Sequence, residues 1–255
     1  EDCDSFEEFL ENYKENLKYY IQAQAIYEKY EYEITGKMHS FMYVSMLYDG
    51  VLDSGKAIFD GGCRYLAGTL ELYGVVNAVN SLAAIKNRVF EDKVICSKDL
   101  RQAMDDNFYG WNSLRKQLMD APKYGNDEDY VDQIFVDLQD WLCETIRSQA
   151  EKVGLDSYLA VNINNKQNTT LGRWVGATPD GRKAGMPMAN ANNPAPGTDK
   201  NGITAMLNSI LKPHHNNHAG MVQNLRLSRE TFRGNYEKTT GLIKDYFERG
   251  GAHLM

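Results

Sequence analysis

Phe6, Phe9, Leu10, Tyr13 and Leu17 recur at intervals of three and four residues, the mark of a helix with one buried face. Ser5 precedes them with Glu8 three residues on, which makes a capping box. The pattern predicts a helix running to about Ile34, where Thr35-Gly36 stop it. A second, less polar helix is predicted over 40–54, from Ser40 to Ser54, ending near Gly55. Gly61-Gly62 break the chain. Arg64 to Leu72 reads as a strand or an irregular run, since Gly68 interrupts it. Val75 to Phe90 is helical again, and Ser97 is placed to cap a helix carrying Leu100, Ala103 and Met104. Asn126-Asp127 open a long helix with Tyr130, Val131, Ile134, Leu138, Trp141, Leu142 and Ile146 on one face.

Beyond Gly154 the texture changes. Tyr158 to Ile163 reads as a short strand. A stretch dense in Asn, Pro and Gly follows, with Thr204 to Leu211 a short helix or turn inside it. Val222 to Leu227 is a second strand candidate, Thr239 to Glu248 a helix, and GGAHLM the start of a further strand. Helices alternating with short strands predict an α/β fold, rich in helix.

Composition narrows the partners. A net charge of −7 over 255 residues argues against nucleic acid, which needs a basic face. No apolar run reaches the roughly 18 residues of a membrane span. EDCDSFEEF is acidic and lacks the apolar core of a signal peptide. Cys3, Cys63, Cys96 and Cys143 are scattered, which predicts reduced thiols and a cytoplasmic location, and makes the Asn168-Thr169-Thr170 sequon irrelevant.

Candidate chemistry is sparse. His214 and His218 are four apart, the helical spacing of a metal pair, but Pro213 and Asn216-Asn217 favour a polar loop, and no metal is expected. GTDKNG at 197–202 lacks the spacing of a phosphate-binding loop. Glu71 stands between Leu70 and Leu72 in GTLELYG, so it reads as a partly buried carboxylate. It is either a structural partner of a residue such as Arg64 or part of a site.

Several stretches carry a resemblance. ATPDGRKAG, then NPAPGTDKNGITAMLNS, is similar to the T-P-D-G-R-[KR]-A-G turn and N-P-x-x-G-x-D-x-x-G-x-T-A stretch of the glycyl radical enzymes. GGCRY and NSLAAIK resemble that family's G-G-A-[KR]-Y and D-S-L-A-A-I-K, with Asn80 in place of Asp. APKYGNDEDYVD and YFERGGAHLM resemble further family stretches, in the family's order. Ile203 stands where Pro is common. The resemblance runs along essentially the whole chain.

It implies part of a ten-stranded α/β barrel, the second half, with 1–255 forming one partial pyruvate formate-lyase-like domain. In the family the T-P-D-G-R segment is a long connection over the barrel, and the segment after it packs near the active site. The family's chemistry uses a radical glycine in an R-V-x-G-[YF] loop and a thiyl cysteine in C-x-E or C-C. Neither pattern occurs here, and GRWVGA at 172–177 has the wrong order and position. The resemblance therefore implies that the upstream cysteine half and the downstream radical domain are lacking, and that the 255 residues are inactive alone. Glu71, with Tyr73 beside it, is the implied substrate-binding candidate, which favours a dehydratase or decarboxylase over a formate acetyltransferase. A natural split enzyme or a non-catalytic scaffold relative are the alternatives. No bound cofactor is implied. The radical would be installed by an activating enzyme that uses S-adenosylmethionine, the substrate would be a small organic molecule, and family precedent is a homodimer.

Overall fold

The computed structural model describes residues 3–163 and 166–255, with Thr231 by its backbone alone. The elements in order are α1 (Phe6–Met38), α2 (Met42–Ser45), α3 (Val51–Ser54), β1 (Ala67–Glu71), α4 (Val75–Ile85), α5 (Ser97–Asp105), α6 (Asn112–Met119) and α7 (Asp129–Arg147). Then come α8 (Ala150–Val153), β2 (Ser157–Asn162), α9 (Gln167–Thr170), α10 (Gly202–Leu211), β3 (His218–Gln223), α11 (Arg229–Gly234), α12 (Tyr236–Glu248) and β4 (His253–Leu254). The strands follow the order β1-β2-β3-β4 in one sheet, and β3 and β4 are parallel with Val222 opposite His253. The α/β reading of the sequence holds.

Two compact units divide the chain. One comprises residues up to Glu11, Glu71–Asp140 and Val161–Met255; the other comprises Asn12–Leu70 and Trp141–Ala160. In the first, Ala84, Ile85, Ile95, Leu100, Ala103, Phe108 and Leu118 form a buried cluster against which Phe9, Phe90 and Trp111 pack. The capping box at its start is present: Glu8 N–H donates to Ser5 Oγ at 3.1 Å and Asp4 N–H to Glu8 Oε2 at 2.8 Å. In the second unit Gly68 lies inside β1 rather than interrupting it. A Cβ there would fall 2.7 Å from Glu28 Oε1, 2.8 Å from Tyr158 Cδ2 and 2.9 Å from Leu155 Cδ1. The glycine is required by crowding, not by a turn.

Several boundaries move. α1 runs on through Thr35-Gly36 to Met38, because Gly36 packs directly on the Phe59 carbonyl. The helix predicted over 40–54 divides into α2 and α3, since the backbone turns left-handed at Phe41 (φ 43°) and Gly50 (φ 85°). Ser45 supports the break, its hydroxyl donating to Ser40 O and accepting from Ile58 N–H. The helix after Val75 widens into a π-helix over Lys86–Glu91. The strand predicted at 222–227 lies at His218–Gln223 instead, although Leu225 N–H still donates to Met255 O. α9 and α11 are short helices of four and six residues that the sequence did not mark, and the amphipathic α6 was not marked either.

Candidate functional site

Glu71 is the last residue of β1 and lies, with Ala67 and Thr69, on the exposed side of that strand, while Gly68 is buried on the other. The expectation of a partly buried carboxylate is corrected: a residue at the end of a strand, alternating with buried Gly68 and half-buried Leu70, is turned outward. Its carboxylate makes no salt bridge among the described residues. Strand pairing continues one residue beyond it, where Leu72 N–H donates to Val161 O at 2.7 Å, so its backbone is fixed. Tyr73 is half-buried, and its hydroxyl donates to Asn168 O at 3.5 Å. Burial pushes its phenol pKa up, and the Arg182 guanidinium partly opposes that.

The two longest motif stretches are held by side chains from remote segments. In Thr178-Pro179-Asp180-Gly181-Arg182 the Asp180 carboxylate accepts from Thr178 Oγ1 (2.5 Å) and from Arg182 N–H (3.2 Å), closing the turn. Gly181 sits at φ 90° with its carbonyl accepting from Arg115 Nε at 2.9 Å. The Arg182 guanidinium donates to four carbonyls, those of Val175, Gly176, Lys183 and Met186. From α4, Asn77 donates to Asp180 Oδ2 at 2.8 Å and accepts from Ala189 N–H at 2.7 Å. An irregular backbone must still satisfy its polar groups, and these side chains do it.

Asn126 plays the same part between APKYGND and NPAPGTDKNG. Its Nδ2 donates to Lys123 O and Thr198 O, and its Oδ1 accepts from Lys200 and Asn201 N–H at 2.7 and 3.1 Å. Lys123 is buried, and its ammonium donates to Leu118 O (2.6 Å), a carbonyl of the last turn of α6, and to Ala121 O (2.9 Å) just beyond that helix. Burial lowers its pKa to about 8, with Asp180 opposing. A cavity of about 590 Å³ opens between these loops, lined by Lys123, Asn126, Asp180, Arg182 and residues 195–198. Sequence reasoning missed Asn77, Asn126 and Arg182 as organisers. The available signal was the pair of amides in the apolar run VVNAVNSL and the amide ending APKYGN.

Lower in the chain, Asp127, Asp129 and Asp132 converge on Lys212 Nζ at 3.1, 2.9 and 2.7 Å. Burial works against that ammonium, but hydrogen bonds to the three carboxylates hold its pKa well above the ordinary lysine value. His214 and His218 join no metal-holding cluster among the described residues. His215 is buried, with Nε2 facing Ile210 O at 2.8 Å and Nδ1 accepting from Ala252 N–H at 3.2 Å, while exposed His214 lies 4.0 Å from Asp140. Among the described residues no cluster of His, Cys, Asp or Glu is placed to hold a metal, and no helix is long and apolar enough to cross a membrane. No disulfide links the four cysteines.

Comparison with known proteins decides what these loops belong to. The family model described as pyruvate formate lyase-like matches residues 1–164, and the one described as glycine radical matches 188–255. The chain belongs to the pyruvate formate lyase-like family. It is 28% identical over 254 residues to trans-4-hydroxy-L-proline dehydratase of Clostridioides difficile, covering 98% of this chain and 32% of that protein. It is 30% identical to the 4-hydroxyphenylacetate decarboxylase glycyl radical subunit of the same organism, covering 99% and 31%. The glycerol-bound form of the B12-independent glycerol dehydratase from Clostridium butyricum superposes with a TM-score of 0.93 at 28% identity, over 99% of this chain and 32% of that one. The chain thus spans about a third of the length of the relatives it matches. The resemblance carried by the sequence motifs is shown, and the relatives are glycyl radical dehydratases and decarboxylases.

Proposed function

We propose that these 255 residues supply part of the second half of a glycyl radical lyase barrel, of the dehydratase or decarboxylase type, and do not turn over substrate alone. The observation that carries this is the outward, unpaired carboxylate of Glu71 on a chain that superposes on a glycerol-bound dehydratase. A glycyl radical, relayed through a cysteine thiyl, would supply hydrogen abstraction; neither sequence pattern for it lies in this chain. The chain's own residues bind and orient. Glu71 accepts a hydrogen bond from a substrate hydroxyl or takes its proton, and being held by strand pairing it loses little freedom on doing so. Tyr73, kept protonated by burial, stands beside it and would turn its O–H from Asn168 O to the substrate. The substrate is a small hydroxylated organic molecule. The activating partner is an enzyme that uses S-adenosylmethionine, the assembly a homodimer, and the compartment the cytoplasm. The similarity to dehydratases and decarboxylases favours this over a formate acetyltransferase.

The test is direct. The anoxically purified chain is assayed for turnover of glycerol and trans-4-hydroxy-L-proline, and for their binding by ligand-observed NMR. No turnover is expected, with binding that weakens about tenfold or more in Glu71→Gln, the loss of one charge-assisted hydrogen bond. Turnover by the chain alone sinks the first part of the reading. Equal binding by the variant sinks the role of Glu71. Binding to a protein partner with no affinity for either compound would favour the scaffold reading.

A further inference from the structure

Lys123 is the unexplained charge in the cavity between the motif loops. It is only 7% exposed, and its two acceptors, Leu118 O and Ala121 O, are neutral carbonyls. An ammonium has three N–H donors, so one is left over. No salt bridge reaches it among the described residues. Asp180 and, to a smaller extent, Asp120 support its charge from a distance, while Arg88 and Lys200 oppose it; no carboxylate pairs with it at contact, as buried charges ordinarily require.

The cavity's volume, about 590 Å³, falls within the roughly 300–1,000 Å³ of small-molecule sites. Arg115 gives Nε to Gly181 O, and among the described residues its terminal nitrogens make no hydrogen bond, so they remain available on the same wall. Arg182 is consumed by carbonyls except for a buried, unpartnered Nε. Lys183 is turned over the Tyr109 ring at 5.6 Å. The rest of the wall is mixed: Met119, Pro122, Pro187 and Ala195 offer apolar surface, while Asp120, Glu128 and Lys200 add charges of both signs. Asp180, buried and lining the same space, disfavours a second negative charge.

We propose that this cavity is a binding site for a small organic monocarboxylate, its carboxylate held by the third N–H of Lys123 and by Arg115, its apolar body against the proline and methionine wall. This does not rest on the role given to Glu71. A doubly charged anion such as phosphate fits less well, because it meets Asp180 and has no apolar part to bury. Binding also has a protonic signature. Burial holds the free amine at about pKa 8, so at pH 8 about half the molecules carry the charge. An anion against the amine restores its proton, and each ligand bound takes up to about half a proton from solution.

The experiment is isothermal titration calorimetry of the whole chain with benzoate, benzyl alcohol and inorganic phosphate. It is run at pH 8 in two buffers of different ionisation enthalpy. Benzoate is expected to bind with net proton uptake, and benzyl alcohol, its neutral analogue, at least tenfold more weakly. Lys123→Met should weaken benzoate tenfold or more and abolish the uptake. Since that substitution also removes a cap on α6 and could unfold the loop, Pro196→Trp is the second variant. It fills the cavity from an exposed position and should block benzoate while the circular dichroism stays unchanged. Three results would each overturn the proposal: no benzoate binding up to about 10 mM; binding unchanged in a folded Pro196→Trp; or phosphate bound more tightly than benzoate.

Discussion

Asn126→Ala tests whether the motif amides hold the loops or merely sit in them. The side chain makes four hydrogen bonds, two as donor and two as acceptor, and the residue is 7% exposed. A net contribution of about 1 kcal/mol per bond gives a ceiling near 4 kcal/mol. Lys200 and Asn201 are exposed, so water can replace Asn126 for their N–H groups. The Lys123 carbonyl belongs to a buried residue and cannot be resolvated without opening the loop. About 2–3 kcal/mol is therefore expected, concentrated in 121–127 and 195–201. Because two units unfold in one chain, a single global transition is a poor readout. Native-state amide exchange is the better one: Lys200 and Asn201 amides should exchange about 30- to 150-fold faster. Asn126→Asp keeps both acceptor contacts but sets a carboxylate against two carbonyls, and should lose protection at least as much. A change below about 1 kcal/mol in both variants would refute the claim that this amide organises the site.

Three further outcomes follow from the same geometry. Gly68→Ala should destabilise by about 1–3 kcal/mol in chemical denaturation, since its Cβ would press on Tyr158, Leu155 and Glu28; a neutral result would mean β1 gives way easily. Burial, aided by the nearby His215, lowers the His218 pKa to about 4, and burial lowers that of His215 too. With folded values below the unfolded value of about 6.5, these groups' stability is fully present above that pH and is lost as pH falls from about 6.5 towards 4; His218→Phe should flatten that part of the stability-pH curve. Lys212→Met should cost about 3–5 kcal/mol at pH 7 by leaving fully buried Asp132 without its cation. Burial already raises the Asp132 pKa against the pull of Lys212 and Ser209, and losing Lys212 raises it further, so the deficit should shrink as pH is lowered towards 5; a deficit that grows would contradict the assignment.

The periodic elements were legible because their own residues specify them. The face of α7 from Val131 to Ile146 and the capping box at Ser5 depend on neighbours three and four residues away, which a sequence displays. The family, too, was legible, because its turn and loop residues stand in order along the chain. What those residues do was not. Asp180 reads as a turn residue, but its partner Asn77 lies 103 positions away, and Asn126 meets Thr198 across 72. Gly68 looked like a strand breaker until Tyr158 and Leu155 were seen against it. Exposure was likewise decided late. Flanking leucines suggested that Glu71 was partly buried, whereas strand alternation turned it outward. The sequence by itself determined the long periodic helices, the α/β class and the kinship, since these rest on local periodicity and on residue order. Only the tertiary structure decided which side chains meet in the loops and which charges lack a partner, because both depend on contacts between segments remote in the chain.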